Sequence, residues 1–565
     1  MVPSLTWGQA SVNVNLLDTV YRDIDKLVGQ GLVDKIIMGQ RPFSRREIAR
    51  ITGEAIRNLP RLEKRLENSE ISEKKKERIR KRLEYIEPIL LRLKKRFQEE
   101  MIQLGYLPGR SKWYSVHLLD QTDFDTSVDN SLPRGIPPTG LGTTDAIINP
   151  LLQYRQGRHI VDGSNLSLET SSWLRASDHF ALLVRPRFQL GLGRDGQPDL
   201  NDAYVQELYG KIFFKNFEIE VGRDNVFYGQ GYDAGLLLSK NPRGLDMIKI
   251  SNDIPGFLPW VFKYMGAQKL SFFYADLGPE QNFPNAYLVG WKWSLQPFSF
   301  WEIGFSNILQ SGGDGSPSAS FGKRVADVFP IVDFAIVTDE DFQISNKLAG
   351  VDMRFRIPPA RNLELYVEAI IDDYDARRLK SIFWQDAGYV FGFYLPRLMD
   401  SGALDLRMEF HHTGIRFYRH AQFTSGWTLN KFILGDQLGP DGNAIYTWLN
   451  WDINSQNLIT FSGAYERRSN DNYISIEDDD GFEFVKVSDL PKENRIRTVA
   501  SWQHRVVGLP ILFFAQLGYE RVINFDFLEG NNRNNFLGRI HFQIFFDKTT
   551  RFPRNYSNPS SSALN

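Results

Sequence analysis

From about residue 170 onward, short segments of the chain alternate apolar residues with charged or polar ones. In segment 406–411, LRMEFH, the apolar side chains occupy the even positions and the charged side chains the odd positions. The same period of two recurs at 217–221, 301–306, 351–356 and 363–368. Because successive side chains of a β-strand point to opposite faces, each segment predicts a strand with one apolar and one charged face.

The connections between these strands indicate which face points outward. A soluble sandwich buries its apolar face, whereas an outer-membrane barrel turns that face towards lipid. Short turns, such as 215–216, alternate with longer loops, such as 225–258, along most of this region, and this is typical of up-and-down transmembrane barrels. A soluble propeller would more often show a fixed-period repeat, and the sequence has none. The predicted fold is an all-β transmembrane antiparallel barrel of about 16–18 strands, preceded by an N-terminal α-helical region.

In such a barrel the charged faces line the lumen, where side chains of opposite sign pair across strands. For any single residue this structural role is the expected one, and a polar track for a sugar chain or an ion is the functional alternative. The predicted lumen residues are Glu218, Glu220, Asp352, Arg354, Glu364, Glu368, Asp405, Arg407, Glu409 and His411.

The first part of the chain has a helical pattern. Between Ile79 and Phe97, apolar residues step alternately by four and three, a seam that packs on another helix. Ser44 and Glu47 form a capping-box pattern for a helix start. Residues 1–105 carry 22 Lys and Arg against 15 Asp and Glu. A solvated helix face accounts for these charges, and contact with an acidic partner or an anionic membrane surface is the alternative.

These patterns divide the chain into four parts. We expect a periplasmic α-helical region at 1–105, and a linker or plug-like segment with the first strands at 106–170. The outer-membrane barrel follows at 171–546, and 547–565 form a polar C-terminal tail. The first ten residues lack the basic start and apolar core of a signal peptide. The chain is therefore either cytosolic or has lost its signal peptide, and the barrel pattern leads us to expect the outer membrane.

Composition and motifs point away from an enzyme. The absence of cysteine excludes disulfides, thiolate metal sites and cysteine nucleophiles. The sequence contains neither H-E-x-x-H nor G-x-S-x-G, and the G-x-G-x-x-G match at 191–196 predicts a hairpin loop because no helical pattern follows it. The formal net charge of −1 gives no nucleic-acid signature. We predict no cofactor, no metal site and no nucleic-acid partner.

The most specific motif is the glycine-rich stretch GRDNVFYGQGYDAGLLLSKNPRG at 222–244. It combines Gly-Arg at 222–223, an aromatic residue before Gly-x-Gly at 228–231, a leucine-rich step into Ser239, and Asn241. This pattern resembles the signature region of the Wzi family of capsule-assembly outer-membrane proteins. Segment 16–50 also resembles the helical region that precedes the barrel in many members of that family.

The resemblance implies an outer-membrane barrel of about 18 strands, partly plugged by periplasmic helices. It also implies a lectin-like, non-enzymatic role in assembling or attaching capsular or exopolysaccharide at the cell surface. The partners would then be surface polysaccharide, outer-membrane lipid and lipopolysaccharide. The helical region would offer a surface to a periplasmic or envelope protein.

The same stretch contains the predicted polysaccharide-binding residues. Its glycines permit tight backbone paths, and its tyrosines can stack on sugar rings. The structural alternative is a loop that only packs into the mouth of the barrel. The predicted binding residues are Arg223, Tyr228, Gly229, Gly231, Tyr232, Ser239, Asn241 and Arg243.

Three alternatives stay open for the whole protein. The first is an outer-membrane porin or channel for small solutes or glycans, and the second is a barrel subunit of a larger cell-envelope export complex. The third is a barrel hydrolase, for which spacing alone places no set of nucleophile, base and acid.

Overall fold

A computed structural model of the chain shows a closed antiparallel β-barrel that follows a group of helices. The structure describes residues 10–139, 142–194, 196–317, 328, 345–372, 383–478 and 481–546. Eighteen strands pair in chain order, and the first closes onto the last. These strands, β1 to β18, are Tyr114–Asp129, Gly163–Ala176, Phe180–Gly193, Leu200–Phe214, Phe217–Asp224, Leu245–Asn252, Ala267–Asp276, Tyr287–Phe298, Trp301–Ser311, Ser345–Ile357, Leu363–Asp372, Ala387–Leu395, Leu404–Thr413, Gly442–Asp452, Asn457–Arg468, Glu493–Arg505, Ile511–Ile523 and Arg533–Phe545. The predicted all-β antiparallel barrel, with its helical region in front, is confirmed.

The two ends of the barrel differ in their connections. Short turns such as 215–216 and 299–300 lie at one end, and longer loops such as 225–244 and 414–441 lie at the other. Because the number of strands is even, the chain enters β1 and leaves β18 at the same end. The helices precede β1, so we call that end the helical end and the opposite one the loop end. The predicted polar tail at 547–565 lies outside the described residues.

The apolar face of the strands points outward. In β11, Leu365 is 43% exposed, while its neighbour Glu364 is 2% exposed. The same arrangement recurs in β13, where Phe410 is exposed and Arg407 is buried. A soluble sandwich would show the reverse, so the outward apolar face identifies a barrel that faces lipid.

Outward-facing aromatic side chains, exposed or half-buried, form two bands around the barrel. Near the helical end, Trp301 stacks on Phe355 with ring centroids 5.6 Å apart. Near the loop end, Tyr274 stacks on Tyr287 at 5.2 Å. Aromatic girdles of this kind mark the two interfaces between membrane and water.

Five helices precede the barrel: α1 at Val20–Gly29, α2 at Arg45–Asn58, α3 at Pro60–Glu67, α4 at Glu73–Arg96 and α5 at Gln98–Gln103. The predicted seam of α4 packs into their common core, where Ile86 and Leu90 are fully buried. The hydroxyl oxygen of Ser44 caps α2 by accepting the backbone N–H of Glu47 at 3.0 Å, as the capping pattern predicts. No helix in the described part of the chain is long and apolar enough to cross a membrane.

Helix α1 is anchored to the barrel wall by buried ion pairs. Lys26 Nζ lies 2.5 Å from Asp405 of β13, and Arg22 Nη1 donates to Asp452 of β14 at 3.0 Å. Arg407 Nη2 reaches Asp25 of the same helix at 3.0 Å. These contacts fix the position of α1 against the helical end of the lumen.

The segment 30–44 between α1 and α2 is not helical. The backbone N–H groups of Met38 and Gly39 both donate to the carboxylate of Glu302 at 2.8 Å, and Arg356 Nη1 donates to the carbonyl of Val33 at 2.9 Å. The segment therefore directs its backbone polar groups to the barrel wall, which leaves them unavailable to a helix. It forms a first plug, at the helical end of the lumen.

Candidate functional site in the barrel lumen

The glycine-rich loop 225–244 folds into the lumen as a second plug, from the loop end. The carboxylate of Glu368 on β11 accepts the backbone N–H groups of Gln230, Gly231 and Leu236, at 2.5, 2.7 and 3.0 Å. Gly229 has a φ of 145°, and a Cβ built there would lie 2.5 Å from the same carboxylate. Glycine is therefore required at this position for the loop to approach the wall.

A polar network extends from the loop to neighbouring strands. Gln230 Nε2 donates to Asp352 of β10 at 2.6 Å and to Glu302 of β9 at 3.0 Å. Arg354 Nε returns a hydrogen bond to Gln230 Oε1 at 2.8 Å and pairs with Glu364. Because these groups are buried and mutually bonded, they fix the loop in one conformation.

The two plugs contact each other in the middle of the barrel. Gln40 and Arg41 of the first plug pair as a short antiparallel bridge with Phe227 and Tyr228 of the second. Arg41 Nη2 also donates to the carbonyl of Gly231 at 2.9 Å. The helical end and the loop end of the lumen are thus directly connected.

Loop 414–441 covers the second plug from the loop end. Trp427 Nε1 donates to the carbonyl of Leu237 at 2.9 Å. Ser239 and Asn241 donate from their side chains to the carbonyls of Gly435 and Ile433, at 2.6 and 2.9 Å. The leucines at 236–238 and the aromatic residues of this loop share one buried apolar cluster. The loop end is therefore packed like a protein core.

A charged cluster joins this loop to the wall. The His411 ring on β13 contacts Asp436 through Nδ1 at 2.5 Å and Glu409 through Nε2 at 3.1 Å, and Tyr154 donates its hydroxyl to Asp436 at 2.7 Å. Burial alone raises the pKa of the Asp436 carboxyl, but the charge and hydrogen bond of His411 hold that pKa below its usual value. The polar groups of this cluster bond to one another, so the cluster stabilises the loop.

The structure separates the predicted polysaccharide-binding residues into distinct environments. Tyr228 is 2% exposed and its hydroxyl lies 2.6 Å from Ser271 Oγ, so its ring is enclosed by the barrel and does not face a ligand. Arg223 lies on the outward face of β5 and pairs with Asp246 at 2.6 Å, away from the lumen. Gly229, Gly231, Ser239 and Asn241 are buried in the packed loop, whereas Tyr232 and Arg243 are half-buried.

Tyr232 has an aromatic and a cationic neighbour that could also contact a ligand. Its ring meets Trp448 edge-on with centroids 5.2 Å apart, and the guanidinium of Arg407 lies 4.6 Å from its ring centroid. Among the predicted binding residues, Tyr232 thus combines partial exposure with an aromatic neighbour on the lumen wall.

The ten predicted lumen residues all point into the barrel and are buried. Glu218 and Glu220 share Lys211, and Asp352 pairs with Lys292. The others contact helix α1, the two plugs or each other. Their arrangement is that of a cross-linked interior, which fits the structural role expected for single residues.

A cavity of about 330 Å³ remains beside the plugs, on the side of the lumen formed by β1–β3 and β13–β18. Sequence reasoning missed it. The inward positions of Arg185, Arg187 and Arg539 follow from strand alternation, but Arg155 and Arg158 lie in a connection that carries no such signal.

Among the described residues, no group of three or more His, Asp or Glu side chains is arranged to hold a metal ion. The acidic run at 477–481 includes residues 479 and 480, which lie outside the described residues.

A closed eighteen-stranded barrel with an apolar outer face, two aromatic girdles and a plugged lumen defines an integral protein of the outer membrane. The family model of the capsule assembly protein Wzi matches residues 134–537, and the chain belongs to this family. The family that the glycine-rich stretch suggested is thereby confirmed.

The solved structure of Wzi from Escherichia coli is similar over almost the whole chain. It has a TM-score of 0.62 and 16% identity, and the match covers 95% of this chain and 99% of that one. That protein is described as an outer membrane protein involved in group 1 capsule assembly and as a carbohydrate-binding β-barrel. At this identity the likeness shows the shared fold.

One curated protein and one further solved structure are shorter or more distant matches. An uncharacterized 55.8 kDa protein in the cps region of Klebsiella pneumoniae is 28% identical over 154 residues, 27% of this chain and 29% of that protein. The chain thus matches less than a third of that relative's length. OccD3 of Pseudomonas aeruginosa has a TM-score of 0.43 and 9% identity, over 78% of this chain and 93% of that one.

Proposed function

We propose that this protein is a non-enzymatic, lectin-like outer-membrane barrel that assists the assembly or surface attachment of capsular or exopolysaccharide. Membership of the Wzi family and the carbohydrate-binding description of the Escherichia coli protein support this proposal. The observation that carries it is the packed loop end, in which Glu368 holds loop 225–244 to the barrel wall and Trp427 joins that loop to loop 414–441. A fixed surface of this kind suits binding of a polymer more than passage of solutes.

The orientation follows from the connections. Short turns of outer-membrane barrels lie in the periplasm and longer loops lie outside the cell. With that orientation, helices α1–α5 lie in the periplasm and the packed loop end faces the exterior. The exposed face of α4, which includes Lys74, Lys75 and Arg80, is then available to a periplasmic or envelope partner.

The test compares surface-bound with shed polysaccharide in cells with and without the gene. Loss of attachment with unchanged total synthesis would support the proposal. Equal retention in both strains would contradict it. A cell that carries a lumen variant, Tyr232→Ala, provides the intermediate case, because this half-buried ring can be removed with less damage to packing than Tyr228.

A porin is the competing function, and conductance distinguishes the two. We expect the purified protein to be silent in a planar bilayer, since inward-folded segments from both ends meet in the lumen. Stable single-channel currents from the unmodified protein would favour a porin. The same recording on a variant that lacks 229–240 provides the open control.

A further inference from the structure

The lumen cavity is bounded by four parts of the chain. Strands β1–β3 and β13–β18 form its wall, and residues 15–19 before α1 lie towards the helical end. Residues 151–158 of the connection between β1 and β2 and residues 233–240 of the second plug contribute the remaining sides. Its volume of about 330 Å³ lies at the lower end of the range for small-molecule sites, roughly 300–1,000 Å³. One or two sugar residues are of a matching size.

Most charged groups in this cavity are paired within the protein. Asp125 Oδ1 lies 2.8 Å from Arg158 Nη1, and Asp125 Oδ2 accepts from Arg539 Nε at 2.9 Å. Arg187 Nε donates to Glu169 at 2.8 Å, and Arg497 Nη2 to Glu466 at 2.6 Å beyond the cavity wall. These pairs keep the wall rigid.

Arg155 is the exception. Its Nε is buried without a hydrogen-bond partner among the described residues, and Asp125 and Asp233 act on its charge only at longer range. Burial, together with the like charge of Arg539, lowers the pKa of Arg155 to about 9. Arg158 is 5% exposed, and its Nη2 also has no partner within the described protein. The half-buried guanidinium of Arg155 lines the cavity and has no ion-pair partner among the described residues, so it is the group available to an anion there.

Aromatic side chains and amides line the same cavity. Trp448 on the lumen face of β14 is half-buried and lies with its ring centroid 6.0 Å from that of Tyr446. Phe514 stacks on His541 with centroids 4.9 Å apart and an interplanar angle of 14°. Gln543 lines the cavity and has a buried Oε1 without a partner among the described residues. An apolar ring face beside polar donors and acceptors is the combination that recognises a sugar.

We propose that this cavity binds an acidic sugar residue, with the carboxylate held by Arg155 and the ring placed against Trp448. Guanidinium groups bind carboxylates through paired, charge-assisted hydrogen bonds, and the cavity provides both the cation and the aromatic face. The inference deepens the proposed function, because it names the charge of the glycan, and it rests on that function for its biological meaning. The binding itself depends only on the cavity.

The test is calorimetric titration of the purified full chain in detergent with glucuronate, glucose and inorganic phosphate. We expect binding of glucuronate and at least tenfold weaker binding of glucose and of phosphate, since one lacks the anion and the other lacks the ring. Equal affinity for glucose would overturn the role of Arg155. Equal affinity for phosphate would overturn the sugar assignment, and no heat with glucuronate would overturn the site.

Two variants locate the binding. Arg155→Gln is expected to weaken glucuronate binding about tenfold or more, the scale of a lost charge-assisted contact. Arg194→Gln, on an exposed loop where the side chain is 46% exposed, is the matched control and should bind as the unmodified protein does. Unchanged binding in the Arg155→Gln variant would place the ligand elsewhere. The comparison of three ligands on the unmodified protein stands even if this variant does not fold.

Failure here is distinguishable from failure of the proposed function. Polysaccharide lost from cells on deletion of the gene, combined with no glucuronate binding in the purified protein, would remove only the cavity proposal. Glucuronate binding with unchanged retention of polysaccharide would preserve the cavity and remove the attachment role.

Discussion

Glu368 on β11 accepts the backbone N–H of Gly231 at 2.7 Å, although the two residues are 137 positions apart in the chain. This bond, with two others to the same carboxylate, turns a glycine-rich loop inward and converts the loop end from an open mouth into a packed surface. The carboxylate is fully buried, so each N–H that it accepts would otherwise be unsatisfied.

Removal of this carboxylate should loosen the second plug without unfolding the barrel. In Glu368→Ala, three backbone N–H groups lose their acceptor, and each lost bond costs about 1–3 kcal/mol. We expect hydrogen exchange of residues 229–236 to become at least tenfold faster, while exchange in the barrel strands stays slow. Glu529→Ala, on an exposed loop, is the control. Unchanged exchange at 229–236 would show that the apolar cluster alone holds the loop.

The lipid-facing surface predicts an asymmetric response at position 365. Leu365 is 43% exposed on the outer wall of β11, so Leu365→Arg places a charge in hydrocarbon. The expected cost is about 2–4 kcal/mol near the bilayer midplane. Urea titration of folding into lipid vesicles measures it, with Leu365→Met as the apolar control. Equal stability of the two variants would contradict the assignment of this face.

The fold was predictable because its signals are local. Alternation in segments such as 406–411 is visible within a few residues, and so is the helical seam of α4. The outward direction of the apolar strand faces followed from the alternation of short turns and longer loops. The non-helical segment 30–44 was not predicted, because its contacts to Glu302 and Arg356 join parts of the chain more than 250 residues apart.

The candidate site was less predictable than the fold, because it also depends on contacts between distant parts of the chain. The glycine-rich stretch pointed to the correct loop, but its composition does not show that the register of β7 places Ser271 against Tyr228 and encloses that ring. Arg155 and Arg158 lie in an irregular connection, where no periodicity assigns a side-chain direction. Their role depends on the strands around them, which only the closed barrel brings together.

The pairing of α1 with α4 predicts a pH dependence for the helical region. Asp23 of α1 accepts a hydrogen bond from Arg92 Nε of α4 at 2.6 Å. Burial alone raises the pKa of Asp23, but the charge and hydrogen bond of Arg92, with the charges of Arg505 and Arg22, leave that pKa below its usual value. The unfolded-state pKa of an aspartate is about 3.9, so this contribution is fully present above that pH and is lost as the pH falls through the lower folded-state value.

Thermal unfolding of the helices, followed by circular dichroism between neutral pH and about pH 3, measures this loss. We expect the Tm of the helical transition to fall at the acidic end, and we expect a smaller fall in the Asp23→Asn variant, in which this group does not titrate. A parallel fall in both proteins would assign the effect to other carboxylates. The barrel transition provides the internal reference.

The docking of α1 onto the barrel depends on Lys26, which is 1% exposed and pairs with Asp405 at 2.5 Å. Lys26→Met leaves Asp405 buried with only Asn450 and the more distant Arg22 as partners. Breaking one side of a buried ion pair costs about 3–5 kcal/mol, whereas replacing both sides by apolar residues is often close to neutral.

We therefore expect limited proteolysis to release the helical region from Lys26→Met much faster than from the unmodified protein. The double variant Lys26→Met/Asp405→Leu should regain most of the resistance, because no uncompensated charge remains. Lys74→Met, at an exposed position of α4, controls for loss of a lysine cleavage site and of charge. If the double variant were as sensitive as Lys26→Met, the pair itself would supply the docking energy, and charge compensation would not explain the effect.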